Sequence, residues 1–154
     1  KASSKSCVHL AQLMLPAHAN PLGKVHGGVI MKLADEAGSL AAMRHAGRHA
    51  VTVFVESMTF NESVQVGSLL HVNAQVSWVG RTSLEVLVRV DAENPLTGHV
   101  AETNSAFFVY VALDHQRRPV LVPRLICETT KEKELMADGE NRRKTRLGNS
   151  KVSN

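Results

Sequence analysis

The chain has 154 residues, enough for one domain whose core needs no disulfide or metal staple. Its 44% apolar and 21% charged residues are those of an ordinary globular protein and exclude disorder along the whole length. The net charge is +4, but Arg142, Arg143, Lys144, Arg146 and Lys151 lie in an acid-free stretch over 141–154, and without them it would be −1. The basic balance thus belongs to the tail, which argues against a nucleic-acid-binding body with its cations on a folded face. We expect the tail to be a solvated, disordered end.

Val8 to Leu15 is short and apolar and reads as a strand, closed by Pro16. Pro21 and Gly23 keep the next stretch a loop. Val29 to His45 reads as a helix, apolar around most of its circumference, with Arg44 and His45 at its end and Gly47 as its stop. Val51 to Phe60 is β-branched and aromatic, the composition of a strand. After Gly67, Ser68 to Val79 alternates, with Val72, Ala74, Val76 and Trp78 on one face. Gly80-Arg81 makes a turn, and Thr82 to Val90 alternates again, although Leu87 on the polar side predicts cover on both faces.

Asn94 to Gly98 is a loop, and His99 to Leu113 ends in a strand apolar on both faces. Pro119 and Pro123 bracket an extended connector, and Glu128 to Arg146 is a solvated helix at best, interrupted by Gly139. The order strand, long helix, four strands predicts an α+β arrangement, one helix on one antiparallel sheet. The helix is too apolar for cover on one side only. Either the sheet curls round it or a second subunit covers the rest.

No apolar run reaches the roughly 20 residues of a membrane span. The polar start, Lys-Ala-Ser-Ser-Lys-Ser, shows no signal-peptide pattern. Cys7 and Cys127 are far apart, and we expect buried free thiols in a reducing, cytoplasmic setting.

The most informative stretch runs from Asn20 to Gly38. His26-Gly27-Gly28 opens the helix, where the first N–H groups lack partners and the dipole adds about half a positive charge. Such a terminus suits a developing oxyanion. The glycines would equally serve a tight loop-to-helix turn. Asp35 is a carboxylate on an apolar helix, which costs several kcal/mol if buried and unpaired. It is either a surface charge beside Lys32 or a catalytic group.

At 1.5 Å per residue Asp35 lies roughly 10 Å beyond Gly28. One small reacting group cannot easily meet both from the same helix, so a reaction using both predicts a site between subunits. Gly80-Arg81-Thr82-Ser83 is a hairpin turn that could hold an extended ligand ending in phosphate. No nucleophile elbow, P-loop or dinucleotide fingerprint is present, and His45 and His49 lack the partners of a zinc site, so no metal is expected.

Asn20, His26-Gly27-Gly28, Met31-Lys32-Leu33 and Asp35-Glu36-Ala37-Gly38 resemble the hotdog-fold acyl-CoA thioesterases. The nearest group is that of the brain, or cytosolic long-chain, acyl-CoA hydrolases and their bacterial single-domain relatives. The likeness continues in order through Ser57–Phe60, Gly80–Ser83, Ala106–Tyr110 and Arg118–Pro123, to about Glu128. It implies a curved sheet wrapping one helix, paired domains, and a site where Asn20 and Asp35 act together from opposite domains. In the animal enzymes two fused domains each lack one of the pair. This chain keeps both, so a homodimer would form two equivalent sites, and relatives also assemble as trimers of dimers.

The resemblance implies hydrolysis of acyl-CoA to fatty acid and CoA. Asp35 would act as general base or nucleophile, Gly28 N–H would hold the thioester oxygen, and Asn20 would orient water or substrate. His26, Gly27, Arg81, Thr82 and Ser83 would bind substrate, and no cofactor beyond the CoA of the substrate is expected. The thioesterase domain would span 1–127, with a charged helix and basic tail over 128–154. Two alternatives stay open. One is an acyl-CoA-binding or sensing module without turnover. The other is a dehydratase using His26.

Overall fold

Helix α1 (Gly27–Ala46) carries the core. Its buried residues are Ile30, Leu33, Ala34, Ala37, Gly38, Ala41, Ala42 and His45, recurring at the 3–4 residue spacing of one helical face. Most of that face is alanine or glycine, so the helix lies close against the sheet. Gly47 ends it in the left-handed region at φ 65°, its N–H donating to the Met43 carbonyl. The computed structural model describes residues 1–152, with the side chains of 57–60 and 149–152 outside that description. The likeness read at Ser57–Phe60 and the side chain of Lys151 therefore lie outside the described residues.

The strands are β1 (Val8–Leu13), β2 (His49–Phe60), β3 (Leu69–Val79), β4 (Ser83–Glu93) and β5 (Val100–Leu113). They form one antiparallel sheet in the order β1-β3-β4-β5-β2, with β1 and β2 at its edges. Leu70, Val72, Ala74 and Val76 of β3, Leu84, Val86, Val88 and Val90 of β4, and Ala106, Phe108 and Tyr110 of β5 join α1 in one apolar core. The α+β arrangement read from periodicity is the architecture observed.

Two bulges decide which face several side chains use. At Ser77 the β3 register shifts, so Trp78 pairs with Glu85 rather than following Val76 into the core. Trp78 therefore leaves the face that alternation assigned it and packs on the far side of the sheet. At Val53 the β2 register shifts between Thr52 and Phe54. Thr52 stays opposite Tyr110, on the helix side, while Phe54 turns to the outer face.

That outer face is covered by α2 (Thr130–Val152), which corrects the expected disordered tail. Thr129 and Glu132 close a reciprocal cap at its start: Glu132 N–H donates to Thr129 Oγ1 and Thr129 N–H to Glu132 Oε2, both at 3.1 Å. Gly139 does not interrupt the helix. It lets α2 approach, because a Cβ there would overlap Trp78. Arg142 forks onto Glu85 through Nε (2.9 Å) and Nη2 (2.7 Å), and Ser77 Oγ donates to the same carboxylate at 2.6 Å. Arg146 reaches Glu56 on β2 at 3.0 Å.

Glu85 is fully buried, so its charge needs these donors. Leu87 on the same face is buried too, as the broken alternation predicted. Both cysteines are free, but Cys7 is exposed and Cys127 half-buried, so neither is the buried thiol expected from apolar packing. Among the described residues no helix is long and apolar enough to cross a membrane.

Candidate active site

Asp35 sits two turns into α1, half-buried, on the side facing β5 and β2. Lys32 does not hold it. That lysine lies 4.0 Å from Glu36, and both side chains are at least half exposed, a spacing of small energetic weight. Asp35 instead binds two hydroxyls. Thr52 Oγ1 donates to Oδ1 at 2.6 Å, and the Tyr110 hydroxyl lies 3.1 Å from both Oδ1 and the Asp35 main-chain carbonyl. Burial first, then the Asp35 charge, push the Tyr110 hydroxyl far above its ordinary value, so it stays a protonated donor. Of the two readings left open for Asp35, the ion pair is the one the geometry removes.

Sequence reading missed Thr52 and Tyr110. A signal for Thr52 was present, since it is the one polar residue in Val51-Thr-Val-Phe-Val55. Its face could not be known before the bulge at Val53 was seen.

The His26 turn opens α1 as expected. Val29 and Ile30 N–H both reach the His26 carbonyl, which leaves the N–H groups of Gly27 and Gly28 at the free first turn. Gly28 has no positive φ, and a Cβ there would meet nothing within 4 Å. Neither backbone strain nor packing within the chain requires a glycine at this position.

Asn20 builds the loop before that turn. Its Oδ1 accepts Leu22 N–H at 2.9 Å and Lys24 N–H at 3.1 Å, leaving its NH2 as the end available to a ligand. The loop is fixed to the segment before β3 by Val25 N–H on the Val64 carbonyl at 2.9 Å. Among the described residues no hydrogen bond joins Asn20 or the His26 turn to Asp35 of the same chain.

The Gly80–Ser83 turn is brought to the Asp35 end of the sheet. Ser83 pairs with Val111, one residue from Tyr110, and Tyr110 pairs with Thr52. The turn therefore lies two strands across the sheet from Thr52. The turn's carbonyls are committed, Thr82 to Ala112 N–H (2.9 Å) and Arg81 to Val122 N–H (2.8 Å). What it offers a ligand is the exposed Arg81 side chain and the half-buried Thr82, whereas Ser83 alternates with the core residue Leu84 and so lies on the sheet face away from Asp35.

Apolar side chains stay exposed on the elements that carry Asp35 and Thr52: Met31 and Leu40 on α1, Val51, Val53 and Phe54 on edge strand β2. Four concavities of about 240, 350, 380 and 530 Å³ have none of Asp35, Asn20 or Gly28 in their walls. Among the described residues no group of three or more His, Cys, Asp or Glu could hold a metal ion.

One curved antiparallel sheet around one long helix, with a carboxylate mid-helix and a glycine turn at its start, defines the hotdog thioesterase fold. The family model described as the thioesterase superfamily matches residues 22–99, and the chain belongs to that family.

It is 34% identical over 143 residues to the rat cytosolic acyl coenzyme A thioester hydrolase, covering 91% of this chain and 36% of that protein. The chain thus spans just over a third of the length of that curated relative. It is 34% identical to an uncharacterized acyl-CoA thioester hydrolase of Bacillus subtilis, covering 77% of this chain and 69% of that one. Among solved structures it is similar to an apo-hexameric acyl-CoA thioesterase at 35% identity and a TM-score of 0.93, covering 97% of this chain and 96% of the other.

Proposed function

We propose that the chain hydrolyses acyl-CoA thioesters to a fatty acid and CoA at a site shared by two copies of itself. The observation that carries the reading is the Asp35 carboxylate, which among the described residues is in no ion pair and is held by Thr52 and Tyr110 through Oδ1. Oδ2 is then free to act as general base on water or to attack the thioester carbonyl directly. The free N–H groups at the start of the partner subunit's helix would receive the oxyanion, and Asn20 NH2 of that partner would orient the water or substrate. With water as the nucleophile, the tetrahedral intermediate expels the CoA thiolate and leaves the fatty acid; with Asp35 as the nucleophile, expulsion of the thiolate leaves a mixed anhydride, which water hydrolyses to the fatty acid and free Asp35.

The roughly 10 Å between Gly28 and Asp35 along one helix supports drawing them from different subunits. The exposed apolar residues of α1 and β2 support burial of this face in an assembly. The hexameric assembly named for the solved neighbour supports an oligomer, as dimers or trimers of dimers. Arg81 with Thr82 would meet the polar CoA portion, and His26 and Gly27 would line the thioester end. The reaction needs no cofactor beyond the substrate's own CoA. We place it in the cytoplasm, the setting named for the rat relative.

The test is thiol release from acyl-CoAs of graded chain length by the purified chain and its Asp35→Ala variant. Turnover by the parent, falling at least about a hundredfold in the folded variant, is the expected result. Binding of acyl-CoA without release of thiol would leave a binding module and overturn the reading.

A further inference from the structure

We propose that Tyr110 is a positioning residue for the reaction: its buried hydroxyl fixes Oδ1 of Asp35 and so presents Oδ2 to the substrate. The inference rests on the hydrolytic reading above and adds a residue to it.

The packing alone does not call for a phenol. Phe108, two residues earlier on the same face of β5, fills its part of the core without a hydroxyl, its ring 6.3 Å from that of Tyr110. Tyr110 is fully buried, and a buried hydroxyl is costly unless it is bonded. Its hydroxyl reaches Asp35. Room for it comes from Gly38, one turn further along α1, since a Cβ there would overlap the Tyr110 hydroxyl. A glycine inside a helix costs up to about 1 kcal/mol against alanine. Helix and strand are thus matched around one hydrogen bond.

That bond selects between two acceptors. The hydroxyl oxygen lies 3.1 Å from both the Asp35 carbonyl and Oδ1, its one proton can serve only one of them, and an ionised carboxylate is the stronger acceptor. With Thr52 on the same oxygen, Oδ1 holds two donors. Among the described residues none donates to Oδ2. The carboxylate cannot rotate without breaking both bonds, so the reactive oxygen is chosen by the fold.

The other groups around Asp35 leave that role to the two hydroxyls. On α1, Lys32 and Glu36 face solvent and each other. From β2 the group that faces Asp35 is the uncharged Thr52. The core residues of β3 and β4, Val72, Ala74, Val76, Leu84, Val86 and Val88, are apolar. Tyr110 is the titratable group from β5, and it donates rather than ionises.

The experiment compares the parent with Tyr110→Phe, which keeps the ring, and Gly38→Ala, which keeps Tyr110 but displaces its hydroxyl. Two readouts are taken at one fixed pH: kcat and KM on an acyl-CoA, and the chemical shift of the Asp35 carboxyl carbon in the substrate-free protein. Both variants should lower kcat about tenfold with KM nearly unchanged. Both should move the carboxyl resonance to the same new position, because a donor to Oδ1 is lost. Adding Gly38→Ala to Tyr110→Phe should produce no further shift. An unchanged carboxyl resonance and unchanged kcat in both single variants would overturn the inference while leaving hydrolysis intact. A parent that releases no thiol would overturn hydrolysis, and the carboxyl resonance would still test the Tyr110 contact.

Discussion

Gly28 and His45 show how single residues on α1 answer to different demands. Gly28 stands where neither strain nor packing within the chain requires it. Gly28→Ala should therefore raise stability by up to about 1 kcal/mol, seen as a higher Tm, since alanine is the better helix residue. The same methyl would stand over the first-turn N–H groups and lower kcat/KM by about tenfold or more. A stability gain without an activity loss would count against the oxyanion role.

His45 is buried, and its Nε2 donates to the Pro123 carbonyl at 2.8 Å. Burial first, then the positive charges at Lys1, hold its pKa below the ordinary histidine value, against the opposing Pro123 bond. The unfolded chain takes up this proton near pH 6.5, while the folded chain resists it until lower pH. Stability is thus fully present above about pH 7 and declines as pH falls below about 6.5. Denaturation curves of His45→Gln should fall less steeply between about pH 7 and 5.5. Asp35 and the His26 turn were legible as residues because a lone carboxylate and a glycine pair interrupt an apolar pattern. Tyr110 was not, because a tyrosine in Phe107-Phe-Val-Tyr110 reads as one more aromatic of a buried strand.

Among the elements, α2 is where sequence patterning misled. Its charge density reads as a solvated segment, yet Arg142 and Arg146 are spent on Glu85 and Glu56, and Arg142 also lies 3.7 Å over the Phe107 ring. The Thr129–Glu132 reciprocal cap marks the helix start. The docking was not visible, because its partner carboxylate lies on β4, 57 residues away. Arg142→Ala should destabilise the chain by about 3 kcal/mol, since it leaves the buried Glu85 charge without its main partner. Replacing both, Glu85→Leu with Arg142→Met, should cost much less. Denaturant titration of single and double variants measures the difference, and equal costs would contradict a buried pair. The strands were legible to within two or three residues at their ends. The bulges at Val53 and Ser77 were not, since a one-residue register shift leaves composition unchanged.

For the whole molecule, the proposed division of the site between subunits makes a specific demand. Asn20→Ala and Asp35→Ala should each be inactive alone. Unfolded together and refolded, they should regain about a quarter of parental activity, because half the pairs are mixed and each mixed pair has one complete site. A site built within one chain would regain none. Asn20 stands out only through the family likeness, whereas by itself the sequence determined the α+β class, the long helix and the succession of strands, and it singled out Asp35 and the His26 to Gly28 turn as candidates. These are local: hydrophobic period, turn chemistry and a charge out of place are written in neighbouring residues. Only the tertiary structure decided that Thr52 and Tyr110 meet Asp35, that Gly38 makes room for that meeting, and that α2 covers the outer face. Each of those depends on register across strands or on a contact between distant segments, and register is set by packing the whole sheet against the helix.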